Sequence, residues 1–73
     1  MNIDTAIYKG KNVLRSRYIK TAQLDSEILL AQAIGQDRKY VILNNKQIIK
    51  KKKLDKFNKL IEKRSFGNPI AYL

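Results

Sequence analysis

Leu24-Asp25-Ser26-Glu27-Ile28-Leu29-Leu30-Ala31-Gln32-Ala33-Ile34-Gly35 is the stretch that decides the fold. Ile28 to Ala31 are apolar without interruption, and Ala33 and Ile34 extend the surface beyond a single stripe. A helix apolar over so wide an arc belongs at the centre of a bundle, with neighbours on several sides. Its ends are written locally as well. Thr21 stands where an N-cap hydroxyl can accept from an exposed helix N–H. Asp25 and Glu27 fall early, where negative charge favours the helix dipole. Gly35 provides the positive φ of a C′ position.

Outward from this centre, three more helices are expected. Toward the N-terminus, Ile3, Ile7, Leu14 and Tyr18 recur at spacings near 3.6, with Ala6 and Val13 beside them. Gly10 interrupts this helix at about 1 kcal/mol relative to Ala, so the helix is expected to start late or fray. Toward the C-terminus, Asp37 can cap a short helix from Arg38 to Leu43, which Asn44-Asn45 ends. Tyr40-Val41-Ile42-Leu43 also fits a strand. No other segment offers it a pairing partner, so helix is the reading. A fourth helix from Lys51 to Ser65 carries the stripe Leu54, Phe57, Leu60 and Ile61, and Gly67 and Pro69 stop it. Ile49 and Leu54 have the spacing of a hydrophobic staple around an N-cap at Lys50. Pro69 then starts one more turn, Ile70 to Leu73, or an exit strand. The fold class is therefore all-α: a small bundle of four helices plus a short fifth C-terminal turn or helix. Its expected core is Leu24, Ile28, Leu29, Phe57, Leu60 and Ile61.

Composition agrees with one such domain. Seventy-three residues leave no room for a second core, and 44% hydrophobic content is globular despite 30% charge. Without Cys or His there are no disulfides, no thiol chemistry and none of the usual transition-metal ligands, and the commonest general base is missing. No catalytic, cofactor-binding or metal-ligating residue can be nominated. No apolar run reaches the roughly 18–20 residues of a membrane span, and Met1-Asn2-Ile3-Asp4 lacks a secretory pattern. A monomer in the reducing cytoplasm is the expectation. The net charge of +10, from 16 Lys+Arg against 6 Asp+Glu, favours an acidic partner such as nucleic acid, ribosome or acidic protein. The end on Pro69-Ile70-Ala71-Tyr72-Leu73, apolar side chains and a Tyr, leads to the expectation of a domain cut from a longer protein, with a complete small basic protein as the alternative.

Two stretches carry a family resemblance. Leu24 to Arg38 resembles the Leu-Asp-Ala-Glu-Ile-Leu-Leu-Ala helix, with its Gly and Asp-Arg exit, of the release-factor glutamine methyltransferases (the HemK/PrmC family). Phe57 to Leu73 is similar to that family's Phe-x-x-Leu-Leu-x-x-Arg-Arg-x-x-Gly-x-Pro-Ile-Ala-Tyr-Leu, with Lys63 and Arg64 at the paired Arg positions. The match runs from residue 21 to 73 and fades at 44–53, where Lys50-Lys51-Lys52-Lys53 replaces a hydroxyl residue followed by acids. The resemblance implies a five-helix N-terminal domain ahead of a Rossmann-like domain expected after residue 73. That catalytic domain would move a methyl group from S-adenosylmethionine to the Gln of a Gly-Gly-Gln loop in a peptide chain release factor. The front domain helps hold the release factor and packs with its own methyltransferase domain.

Neither catalytic signature of the family is present. The glycines are only Gly10, Gly35 and Gly67, which cannot form a cofactor loop. Asn68-Pro69-Ile70-Ala71-Tyr72 imitates Asn-Pro-Pro-Tyr, but its Tyr is one position late and its second Pro is missing; it reads as a helix stop. Asp25 and Glu27, two apart on a helix, face different sides and suit ion pairs to the first or fourth helix better than acid–base work. Tyr8, Tyr18, Tyr40, Phe57, Phe66 and Tyr72 read as core or boundary packing, not as a stacking platform. The residues nominated for a partner are Lys50, Lys51, Lys52 and Lys53. Their alternative reading is a solvated face, and the alternative reading of the whole chain is a free-standing basic module that binds nucleic acid.

Overall fold

A computed structural model describes residues 1–73, apart from the side chain of Tyr72. Four helices follow in order: α1 Ile3–Ser16, α2 Ala22–Ile34, α3 Arg38–Leu43 and α4 Lys51–Ser65. A 3-10 turn, Ile70–Tyr72, closes the chain. The fifth element is thus a turn and not an exit strand. Tyr72, placed among the packing aromatics by the sequence, has its side chain outside the described residues.

α2 is central. It packs against α1, α3 and α4, and α4 packs on α1 as well. Ala22, Ser26, Leu29, Leu30 and Ala33 form its main buried face, and Ala31 on the opposite side is buried too. The core joins these to Ile3, Ala6, Ile7 and Leu14 of α1, Val41 of α3, Ile49, and Phe57, Leu60 and Ile61 of α4. Of the expected staple pair, Ile49 is in the core and Leu54 is partly buried against the core cluster. Two of the six expected core residues behave otherwise. Leu24 is 40% exposed and Ile28 is only half-buried. Leu24 lies seven residues before Ala31, on the same side of α2. That side is covered at Ala31 and open at Leu24.

α1 does not start late or fray. It runs through Gly10 without a break because its N-terminus is held from outside. Asn2 accepts from the Thr5 N–H through its side chain (2.9 Å). The N–H groups of Ile3 and Asp4 donate to the carbonyls of Gln47 and Asn45, and Ile49 N–H donates to Met1. The isolated antiparallel bridge Asn2–Ile48 lies within this clamp. The first N–H groups of the helix, which no intrahelical carbonyl can reach, are therefore satisfied. Gly10 itself is buried where α1 crosses α4. A Cβ built there would stand 2.9 Å from Phe57 Cζ and 3.0 Å from Ile61 Cδ1. Glycine lets the Phe57 and Ile61 side chains approach without shifting, and this packing offsets its cost in helix propensity.

Three helices end in the same way. In α2, Gly35 N–H reaches Gln32 O and Gln36 N–H reaches Ala31 O, with Gly35 at φ +74. In α4, Gly67 N–H reaches Arg64 O and Asn68 N–H reaches Lys63 O, with Gly67 at φ +97. Both are Schellman closures, and Pro69 follows the second as a stop. α1 ends likewise, with Tyr18 N–H on Arg15 O and Ile19 N–H on Leu14 O, but the left-handed position is Tyr18 at φ 62. Tyr18 is therefore beyond the helix and 92% exposed, not on its apolar stripe. A non-glycine residue in this conformation is strained, and an exposed ring recovers little by packing. Tyr18→Gly should raise stability by about 0.5–1 kcal/mol in urea denaturation. A neutral or destabilising result would mean that the Tyr18 ring packs in solution.

Ser26 is fully buried, and its hydroxyl has no hydrogen-bond partner among the described residues. Ser26→Ala removes an unpaired polar group and improves helix propensity, so it should stabilise by about 1 kcal/mol. A loss on thermal unfolding would show that the hydroxyl is satisfied.

Candidate partner-binding surface

Charge pairing determines which cations remain for a partner. Three ion pairs form among the described residues: Arg38–Glu27, Lys46–Asp4 and Arg64–Asp25. The third lies in the interior. Arg64 Nε donates to Asp25 Oδ2 at 3.0 Å, with the Asp25 side chain only 6% exposed. Thr21 occupies the N-cap position but makes no capping bond; its Oγ1 donates to the same carboxylate oxygen at 2.8 Å. The Thr21 backbone, at φ −93 and ψ 28, lacks the extended conformation of a capping residue, and its hydroxyl serves Asp25 as a donor instead. Arg64 Nη1 also reaches Asn68 O, tying α4 and its exit to the start of α2. Asp25 thus pairs with α4, as its helix position suggested. Glu27 does not pair with α1 or α4. It accepts from Arg38 of α3 at 2.9 Å and from Gln23 at 2.8 Å.

The four nominated lysines are all exposed and none is ion-paired among the described residues. Lys50 is the N-cap by position only, with no side-chain cap, and the first turn of α4 holds no acid. Successive helix residues turn by about 100°, so neighbours in sequence separate in space. Lys50 and Lys53 border a hollow of about 200 Å³ with Ile34, Ile48 and Ile49. Lys52 instead aligns with Lys56, Lys59 and Lys63, at offsets of four, seven and eleven residues. The sequence cluster therefore divides between two surfaces, and the stripe down α4 was not nominated from sequence. Its signal was the 3.6 period, applied there to apolar residues but not to lysines.

Lys51 tests the local energetics. Positive charge at a helix start opposes a dipole end of about +0.5 charge. Lys51→Glu should therefore stabilise the fold by about 0.3–1 kcal/mol at low salt, with the gain shrinking as salt rises. An unchanged urea midpoint at low salt would remove the case for strain in this run.

The aromatic residues do not all pack as expected. Phe57 is core, and Tyr40 donates to Gln47 at the surface. Tyr8, Tyr18 and Phe66 are exposed by 59%, 92% and 68%. Tyr8 lies under Lys11 Nζ at 5.1 Å, and Arg17 stacks on Phe66 at 5.5 Å. Phe66 lines a groove of about 470 Å³ between α1 and α4, together with Val13, Ile61, Lys9, Arg17 and Glu62. Among the described residues no three Asp or Glu gather as metal ligands, and no helix is long and apolar enough to cross a membrane.

A family model, the PrmC N-terminal domain, matches residues 5–73. A release factor glutamine methyltransferase of Aliivibrio fischeri is 35% identical over 73 residues, covering 100% of this chain and 26% of that protein. One from Clostridium botulinum is 29% identical over the same length, again covering 100% and 26%. A bifunctional methyltransferase of Rickettsia felis is 29% identical over 72 residues, 99% of this chain and 14% of that protein. The chain thus spans about a quarter or less of the length of these relatives. No solved structure is significantly similar.

Proposed function

The chain belongs to the PrmC N-terminal domain family, and on that premise we propose that it is the non-catalytic front module of a release-factor glutamine methyltransferase. In this reading it helps hold a release factor in the cytoplasm while a catalytic domain following residue 73 methylates the Gln of the Gly-Gly-Gln loop. The observation that carries the reading is the family match over residues 5–73, together with the similarity to release factor glutamine methyltransferases.

S-adenosylmethionine would supply the methyl group in the whole enzyme, but the residues present here do not fit it. Gly10 is taken up by the α1–α4 contact, and Gly35 and Gly67 by helix ends. No glycine is left to let a backbone approach a nucleotide. The asparagine of the Asn68-Pro69 pair is also in use, its side-chain amide donating to Lys63 O at 2.9 Å. No step of methyl transfer is therefore assigned to this chain.

The release factor is assigned to the start of α4, where Lys50 and Lys53 rim the Ile34–Ile48–Ile49 hollow and the neighbouring Lys51 adds to the long-range attraction. An apolar patch rimmed by charge is the usual anatomy of a protein interface. The test measures association of residues 1–73 with purified release factor by stopped-flow fluorescence at low and physiological salt. Lys50→Glu/Lys51→Glu/Lys53→Glu should slow association at least tenfold at low salt, with the difference narrowing as salt rises. Rates equal to those of the unsubstituted chain would remove this surface. Absence of any binding to release factor would remove the recognition role itself.

A further inference from the structure

The lysine stripe along α4 is used neither by the core nor by the surface proposed for the release factor. Lys52, Lys56, Lys59 and Lys63 are exposed and unpaired among the described residues. From Lys52 to Lys63 the helix rises about 16 Å, the span of about five phosphates at 3.4 Å per nucleotide along one strand. Adjacent members stand at i,i+3 or i,i+4, the spacing at which like charges repel. The acids of the helix, Asp55 and Glu62, follow one edge of the stripe, and neither pairs with a stripe lysine. Glu62 borders the α1–α4 groove, where Lys9 and Arg17 also lie. No apolar side chain stands within the stripe.

These features suit one class of partner. Protein interfaces have an apolar, desolvated centre from which lysine is depleted, and this face offers only lysines with acids along one edge. Phosphate backbones need no apolar centre. They are neutralised by flexible point charges, each of which displaces a condensed counterion. We propose that the outward face of α4 is a track for the phosphodiester backbone of a nucleic-acid duplex, bound without base readout. The aromatics fit this assignment, since no Tyr or Phe interleaves the stripe to stack on an unpaired base.

The experiment is fluorescence anisotropy of the 73-residue chain with a labelled 16-base-pair RNA duplex and the DNA duplex of the same sequence. Each is titrated from about 20 to 200 mM KCl, with a scrambled RNA duplex as specificity control. Four phosphate contacts predict a slope of log affinity against log salt near −3.6, at about −0.9 per phosphate. Lys56→Gln/Lys59→Gln/Lys63→Gln should flatten that slope by about 2.7 and weaken binding more than tenfold at low salt. Arg15→Gln/Lys20→Gln/Lys39→Gln removes equal charge from exposed positions elsewhere and should leave the slope within about one unit of the original. Circular dichroism confirms that both variants are folded. Equal affinity for the scrambled duplex supports backbone binding, and the ratio of RNA to DNA affinity identifies the duplex preferred. Equal losses in the two triple variants would reduce the effect to net charge and overturn the assignment. So would failure of both duplexes to bind, or tighter binding of polyglutamate through the same three lysines. Lys52 is left intact and no release factor is present, so these outcomes are independent of the recognition role.

Discussion

Phe57→Ala should destabilise the domain by about 3–5 kcal/mol, read as a lowered urea midpoint with little change in slope. Phe57 is the largest fully buried side chain, and its ring tip lies against the backbone of α1 at Gly10. Truncation loses the transfer energy of the ring and leaves a void between two helices. Both are held elsewhere, α1 by its N-terminal clamp and α4 by Arg64, so the void closes poorly. A chain of this length has a total stability of about 4–11 kcal/mol, so between about a quarter and all of it would be lost. The contact also predicts a coupling. Gly10→Ala gains about 1 kcal/mol of helix propensity but forces a methyl against the Phe57 ring, an overpacking cost of about 1–3 kcal/mol. The single change should be destabilising. In a Phe57→Leu background, which removes the ring tip and leaves only the flexible Ile61 side chain against the new methyl, the same change should cost less. Additive effects in this cycle would show that α1 and α4 do not meet at Gly10.

Arg64→Met should cost about 3–5 kcal/mol although it retains the apolar stem. The loss comes less from the attraction removed than from the group left behind. The Asp25 carboxylate, on a side chain only 6% exposed, would keep the Thr21 hydroxyl as its one partner and no counter-charge. The carbonyl of Asn68 would lose its guanidinium donor as well, loosening the exit from α4. Removing both charges should be milder, because it leaves no orphan. Asp25→Ala/Arg64→Met is expected to recover at least half of the single-variant loss. A single-variant cost below about 1 kcal/mol would identify the pair as an ordinary surface bridge.

Element order, helix ends and fold class were legible from the chain alone because their causes act over four or five residues. An Asp at a helix start, a glycine that tolerates positive φ and a proline that ends a helix need no distant partner. α2, α3 and α4 accordingly begin and end where the local signals place them. Leu29, Phe57, Leu60 and Ile61 were legible as core because their spacing leaves them one side to bury. Four features depended on tertiary contact. Gly10 reads locally as a helix breaker, and only the crossing of α4 makes it the residue that permits close packing. Leu24 and Ala31 share a side of α2, and which of them is covered depends on where neighbouring elements lie. Tyr18 has no local signature of a left-handed position; the turn from α1 into α2 imposes it. Thr21 and Asp25 both look like helix-start residues, but the arrival of Arg64 from 39 positions away joins them in one part-buried hydrogen-bonded node. The lysines follow the same division. Their charge is a property of the chain, but whether they act together is set by helix phase, which parts Lys50 and Lys53 from Lys52 and aligns Lys52 with residues up to eleven positions on.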